Sequence, residues 1–366
     1  MKIQAAVTHA QAGDFVIQPV SLAEPQAGEV LVRVVATGVC HTDEVARELG
    51  LSPFPVVLGH EGSGVVEKVG PNVVGVEVGD HVVMSFAHCG SCDNCLTGHP
   101  TVCATFNDLN FGGAMDDGSH RLSQGEKALS TFFGQSSFAT HAVVHQRNVV
   151  KVDKSVDLAL LGPLGCGFQT GAGTVLNRLK PEFGSAIAVF GAGAVGLSAI
   201  MAAKIAGCRH IFAVDIHDNR LQLAKELGAT HVVNSKTADP VAEMRKVAGG
   251  GIHYAVETTG VPIVVRQALH ALRPLGTCAI VGVTGDVTLD VHNDLMAEGK
   301  TMVGVIEGDS IPRVFIPQLV AYYKEGRFPF DRLVKFYEFD EIDKAFADSK
   351  SGVTVKPILR IGAPGS

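Results

Sequence analysis

Two rhythms of apolar and polar positions divide the chain. From residue 1 to about 35, short apolar runs alternate with turns: Ala5-Ala6-Val7, then Phe15-Val16-Ile17, then Glu29-Val30-Leu31-Val32-Arg33-Val34-Val35. This is the rhythm of strands and turns, not the period of helices. Glycines at 59, 62, 64, 70, 75 and 79 carry it on to Asp80. The pattern predicts an antiparallel, partly barrel-like domain. From about Lys180, strand and helix patterns take turns. The pattern predicts strands over 186–190, 210–214, 231–233, 253–257 and 278–283, with helices over 195–206, 218–227, 239–247 and 262–272. Such alternation builds a parallel sheet with helices on both faces. Lys300 to Val305 offers a last strand and Phe315 to Tyr323 a helix. Asp340 is placed to cap a further helix, and Ser351 to Ile361 returns to strand. This tail is expected to rejoin the N-terminal domain.

The alternating half opens on Ala186-Ile187-Ala188-Val189-Phe190-Gly191-Ala192-Gly193-Ala194-Val195-Gly196. Five apolar residues form a buried strand, and a G-x-G-x-x-G run breaks it. Gly191 permits the tight turn, Gly193 lets the backbone approach a pyrophosphate, and Gly196 lets the helix pack close to the strand. The helix that follows from about Val195 presents free N–H groups and the positive end of its dipole to phosphates. The next strand ends in Asp215, 19 residues past Gly196, where an acid can accept from ribose hydroxyls. Together these features predict a dinucleotide site.

Bulk properties narrow the class. A chain of 366 residues is long for one core, so two domains are expected. A 46% apolar and 18% charged composition describes a globular enzyme rather than a disordered chain. The net charge of −7 comes without a Lys/Arg cluster, which argues against nucleic acid or an anionic membrane as partner. No apolar run reaches the length of a membrane span without glycine or charge. Met1-Lys2-Ile3-Gln4 begins no signal-peptide apolar region, so a cytoplasmic location is expected.

The eight cysteines do not space like a disulfide framework. Cys89-Gly90-Ser91-Cys92-Asp93-Asn94-Cys95 is followed eight residues later by Cys103. Four thiolates, three of them separated by two-residue gaps, favour a closed structural zinc site. Elsewhere Cys40 lies in Cys40-His41-Thr42-Asp43, His60 in Gly59-His60-Glu61-Gly62, and Cys166 in Leu164-Gly165-Cys166-Gly167. Taken singly, each reads as a small buried residue or a turn histidine. Two thiolates and an imidazole are the donor types of an open tetrahedral zinc site with one position left for water or substrate, but it is a family resemblance, not their spacing, that groups these three.

The conjunction of Cys40, His60-Glu61, the four clustered cysteines, Cys166, the glycine run and Asp215 resembles the zinc-dependent medium-chain alcohol dehydrogenases over essentially the whole chain. Glu307-Gly308-Asp309-Ser310 and Gly326-Arg327-Phe328-Pro329-Phe330-Asp331 look most like the aryl (benzyl) alcohol dehydrogenase branch. The resemblance implies an α/β fold. A Rossmann doubly wound parallel sheet over 166–306 is inserted in a discontinuous, mainly antiparallel GroES-like zinc domain of 1–165 and 307–366, with the active site in the cleft. It implies two zinc ions per subunit: a catalytic one on Cys40, His60 and Cys166, and a structural one on Cys89, Cys92, Cys95 and Cys103. Thr42 would take the alcohol proton, with Asp43 and Glu61 as supporting acids. Gly191, Gly193, Val195, Gly196, Asp215, Arg220 and Thr170 would contact the cofactor, and His41 and Lys356 its pyrophosphate. An acid at Asp215 repels a 2′-phosphate, so NAD is preferred to NADP.

The implied reaction is oxidation of aromatic primary alcohols to aldehydes, with Phe86 and Phe54 in the lining of an apolar pocket. The glutathione-dependent formaldehyde dehydrogenase branch shares every zinc and NAD motif. A zinc-and-NAD sensor and a DNA-binding zinc protein are the readings outside enzymes, and the charge speaks against the second. One position departs from the better-known family members, which carry a relay histidine where this chain has Val45. No nucleic-acid or membrane partner is expected. The edge strand from Lys300 to Val305 suits a homodimer or homotetramer.

Overall fold

The computed structural model describes residues 1–361. The chain divides into two compact units. The first comprises Met1–Cys166, Ile311–Lys324 and the chain from Phe330 onward; the second comprises Gly167–Ser310 and Glu325–Pro329.

In the first unit, strands Lys2–Thr8, Val16–Leu22, Leu122–Gln124, Lys127–Thr131 and Val56–Val57 close a barrel. Beside it runs a seven-stranded sheet whose spine is Glu29–Gly38. That strand pairs antiparallel with Gly62–Val69, His141–His145 and Lys356–Arg360. Alternate branched residues such as Val30, Val32 and Val34 are buried along it, as a strand packed into a core requires. At its start, the buried Glu29 carboxylate accepts two hydrogen bonds from the buried Arg121, at 2.9 Å each. The tail strand Lys356–Arg360 therefore joins the sheet of Glu29–Gly38, in the unit built by the N-terminal part of the chain. The barrel-like character expected from the pattern is present, with two parallel contacts added: Val56–Val57 against Lys127–Thr131, and Val334–Glu338 against Lys356–Arg360.

The second unit is a six-stranded parallel sheet. Its order is His231–Asn234, His210–Asp215, Ala186–Phe190, Ile252–Glu257, Leu272–Ile280, Thr301–Gly304. Numbered along the chain this is 3-2-1-4-5-6, the doubly wound arrangement. Helices Ala194–Ile205, Asp218–Leu227, Pro240–Ala248 and Pro262–Ala271 connect the strands. Among the described residues no helix is long and apolar enough to cross a membrane.

Two local expectations give way, and one helix was not expected at all. The strand placed at 278–283 runs over Leu272–Ile280, with residues 273–276 forming a bulge that holds Leu275 at φ 66°. The helix cap placed at Asp340 is Glu338 instead. It opens a short 3₁₀ turn, Phe339–Glu341, and its N–H is accepted by Glu341 at 3.1 Å. The α-helix Ile342–Lys350 follows. A helix over Gly167–Gly173, continued by a π-helical stretch over Thr174–Leu179, went unread because its glycines mask the helical period.

Candidate functional site

The spine strand delivers Cys40 to the N-cap of helix His41–Leu49. Asp43, in the first turn, is fully buried and joins three segments. Its Oδ2 accepts from the Cys40 N–H at 3.2 Å. Its Oδ1 accepts from the Gly59 N–H at 3.0 Å and bonds His60 Nδ1 at 2.8 Å. Asp43 therefore fixes the His60 ring with Nδ1 as the donor, leaving Nε2 as the ligand atom. That Nε2 is buried and makes no hydrogen bond. Phe133 packs on the ring at 4.5 Å between centroids and Phe132 meets its edge at 5.6 Å. The 3₁₀ turn Gly162–Gly165 then brings Cys166 alongside.

Ligand atoms of Cys40, His60, Cys166 and Glu61 all lie within 4.8 Å of one another. The hydrogen bond from Cys166, against the cost of burial and helped by Lys356, holds the Cys40 thiol well below its ordinary range. Burial opposes charge on His60, yet the Asp43 carboxylate and the Cys40 sulfur hold its pKa well above the ordinary value. Such a dry cluster of thiolate and imidazole, with a buried nitrogen left free, fits a zinc ion. Loading the ion displaces the protons these groups share.

The other residues singled out in the sequence distribute around this cluster. Thr42 Oγ1 lies 3.7 Å from Cys40 Sγ. His41 is 78% exposed and pairs with Glu44 at 3.4 Å, outside the cluster. Val45 is half-buried on the same helix. Lys356 departs most from expectation. It was expected to contact pyrophosphate, but it is 3% exposed and its ammonium is fully engaged. It donates to Glu61 at 3.0 and 2.9 Å and to the Val39 carbonyl at 3.1 Å. Burial pushes the Glu61 carboxyl up, against the pull of Lys356. Burial also opposes the Lys356 charge, but Glu61 and the two sulfurs hold its pKa far above the usual lysine range. Lys356→Met leaves the Glu61 carboxyl buried without its partner. The expected loss is about 3–5 kcal/mol of stability, read as a lower denaturant midpoint.

The four clustered cysteines form a second group. Their sulfurs all lie within 4.8 Å, with Cys89 and Cys95 at 3.9 Å and Cys92 and Cys103 at 4.0 Å. All are free thiols, and such gaps are far beyond a disulfide bond. Four Zn–S bonds of about 2.3 Å in a tetrahedron place sulfurs roughly 3.8 Å apart. Backbone N–H groups of Ser91 and Cys92 point at Cys89 Sγ, that of Ala104 at Cys92 Sγ, and that of Cys89 at Cys103 Sγ. These bonds, Ser91's first, draw the Cys89 pKa down to about 5, whereas burial and the neighbouring sulfurs push Cys95 up to about 12. Four thiols so close cannot all ionise alone, and a divalent cation resolves that conflict.

In the second unit the glycine run does what its spacing predicts. Gly191 stands at φ 93°, and a Cβ there would come 2.5 Å from Thr258 Oγ1. A Cβ on Gly196 would lie 1.8 Å from the Gly191 carbonyl oxygen, so the turn closes only with glycine. Around Gly193, the N-cap of the helix, a Cβ would meet open space, so a ligand can approach the backbone there. Val195 lies in the first turn. Asp215 Oδ2 accepts from the Ala192 N–H at 2.7 Å, and its Oδ1 from the Ile216 and His217 N–H groups at 2.7 and 2.9 Å. The acid thus braces the glycine turn. Arg220, in the first turn of the next helix, has its Nε buried without a partner. Thr170 Oγ1 lies 3.4 Å from Glu307 Oε2, a contact that no sequence pattern announced. Phe132 and Phe133 were likewise missed. Phe86 is buried against Phe106 and His88, and Phe54 is partly buried against the core cluster of the first unit.

Comparison with known proteins agrees with both halves. Residues 26–154 match the family model for an alcohol dehydrogenase GroES-like domain, and residues 194–321 that for a zinc-binding dehydrogenase. The chain is 43% identical to geraniol dehydrogenase of Castellaniella defragrans, over 97% of each protein. It is 52% identical to an alcohol dehydrogenase zinc-binding domain protein from Burkholderia ambifaria, with a TM-score of 0.97 over 99% of this chain and 100% of that one. Benzyl alcohol dehydrogenase from Acinetobacter calcoaceticus shows 51% identity and a TM-score of 0.96, over 99% of this chain and 100% of that one.

Proposed function

The chain belongs to the zinc-dependent medium-chain alcohol dehydrogenases, and from that membership we propose that it oxidises aromatic primary alcohols of the benzyl type to aldehydes, with NAD as hydride acceptor. The observation that carries the chemistry is the buried His60 Nε2, held by Asp43 and left without a partner beside the sulfurs of Cys40 and Cys166. These three residues would hold the catalytic zinc. When bound, the ion supplies Lewis acidity that lowers the pKa of an alcohol oxygen.

The chain's own residues do the rest. Asp43 keeps the imidazole in one tautomer and orientation. Thr42 Oγ1, beside Cys40 Sγ, receives the alcohol's proton and passes it outward. Val45 offers no relay group, and His41 is engaged with Glu44, so that proton leaves by water. Lys356 offsets the charge of Glu61, so that carboxylate adds no net negative charge beside the sulfurs of Cys40 and Cys166. NAD supplies the hydride acceptor. Asp215 and Arg220 address its adenosine ribose, and the turn from Gly191 to Gly196, with Val195, its pyrophosphate. Cys89, Cys92, Cys95 and Cys103 would hold a second, structural zinc. The exposed edge strand Thr301–Gly304 suits pairing with a second copy as homodimer or homotetramer.

The substrate reading rests on aromatic side chains around His60 and on the relatives. Benzyl alcohol and geraniol share one feature: the carbinol carbon is bonded to an unsaturated carbon, so the aldehyde product is conjugated. Following NADH absorbance across a panel of alcohols tests the proposal. We expect kcat/KM for benzyl alcohol to exceed that for short aliphatic alcohols by roughly ten- to hundredfold. A larger value for ethanol or butanol overturns the substrate assignment. No NADH formation with any alcohol overturns the reaction.

A further inference from the structure

The segment Glu307–Asp309 holds three consecutive residues in the left-handed region, at φ 49°, 67° and 46°, and only the middle one is glycine. A non-glycine residue stays there only when its surroundings fix it. Glu307 and Gly308 are buried. A Cβ on Gly308 would strike the Gln169 carbonyl oxygen at 2.3 Å, so this backbone lies directly on helix Gly167–Gly173. The Glu307 carboxylate reaches back to the same helix. Its Oε2 accepts from Gln169 Nε2 at 3.2 Å and from Thr170 Oγ1 at 3.4 Å. Ser310 Oγ bonds the Glu307 carbonyl and lies 3.1 Å from Gln169 Oε1. Gln169 and Ser310 are fully buried.

The place of this cluster in the sheet gives it a meaning. Helix Gly167–Gly173 packs on the helix that begins at the glycine turn. A Cβ on Gly171 would fall 2.0 Å from the Val195 carbonyl oxygen, and Ser198 Oγ donates to the Phe168 carbonyl at 2.6 Å. Glu307 follows closely on the carboxyl end of the last strand, Thr301–Gly304. In a doubly wound sheet the ligand lies outside the carboxyl ends of the strands, across the point where their order reverses. Asp215 marks the half that takes the first nucleotide. Thr170 and Glu307 stand on the other half, between the phosphate helix and the last strand.

We propose that Glu307 is the positioning residue for the second, nicotinamide half of the dinucleotide, holding Thr170 and Gln169 in place for that half alone. The inference rests on the dinucleotide reading above. It adds a division of labour, in which the Asp215 half binds without help from Glu307.

The test compares two ligands by calorimetry: NADH, and ADP-ribose, which lacks the nicotinamide ring. Glu307→Leu should weaken NADH roughly ten- to hundredfold, the usual effect of losing hydrogen bonds to a charged group, and leave ADP-ribose unchanged. Glu307→Gln keeps an acceptor and should recover most of the NADH affinity, which also covers the case of a leucine variant that fails to fold. Equal weakening of both ligands, or wild-type NADH affinity in the variants, overturns the role of Glu307. A wild-type protein that binds neither ligand overturns the dinucleotide reading itself.

Discussion

Cys40→Ala is expected to abolish alcohol oxidation while the chain stays folded. On the proposed assignment the loss removes one of three donors to a catalytic zinc, and with it several kcal/mol of charge stabilisation, at least about a thousandfold in kcat/KM. The fold survives because the shorter hydrogen bonds that tie the three segments together here run through Asp43 and not through the sulfur. Asp43 still accepts from the residue-40 N–H, which closes the first turn of helix His41–Leu49, and still bonds Gly59 and His60. The variant should therefore lose one zinc per chain by metal analysis and keep its circular dichroism and thermal midpoint nearly unchanged. Turnover close to that of the unmodified protein would remove Cys40 from the metal centre.

Cys92→Ala should behave in the opposite way and cost stability first. The segment from Cys89 to Cys103 contains only a four-residue helix, Asp93–Leu96, and a three-residue 3₁₀ turn, Pro100–Val102. Its larger apolar side chains face water, with Leu96 71% exposed and Val102 44% exposed. It has no core of its own to offset the entropy of ordering its backbone. Metal binding supplies that free energy in small thiolate sites, on the order of 10 kcal/mol. Removing one sulfur should lower the thermal midpoint and release the loop to proteolysis, and a chelator should reproduce both effects in the unmodified chain. An unchanged midpoint in the variant would show that the loop is held by its hydrogen bonds alone.

These two cysteines show how unevenly the sequence announces structure. The spacing of Cys89, Cys92, Cys95 and Cys103 is itself the geometry of their site, because two-residue gaps bring successive sulfurs together locally. The glycine run and Asp215 are legible for the same reason: strand, turn and helix are adjacent in the chain. Cys40, His60 and Cys166 are far apart, and only the resemblance grouped them before the sheet did so through Asp43. The ion pair of Lys356 with Glu61 was hidden because nothing local shows that a lysine at the start of a strand is aimed into a dry cluster. Glu307 and Thr170 were invisible as a pair, since 137 residues separate them. The bulge at 273–276 was hidden by proline and glycine, which mark turns and bulges alike.

The hydrogen bonds from Lys356 to Glu61 span 295 residues. At 5–20 residues per second, a ribosome takes roughly 15–60 s to travel that distance. During this interval Cys40, His60, Glu61 and, later, Cys166 are all present in the nascent chain, and the cation that neutralises Glu61 is not. The strand that carries it is also the strand that completes the sheet beside Gly38. The order of synthesis therefore treats the two groups differently: Cys89 to Cys103 are made together, whereas Glu61 gains its lysine only as the last strand is made. A chain truncated before residue 356 would carry Cys40, His60 and Cys166 and leave the buried Glu61 without Lys356.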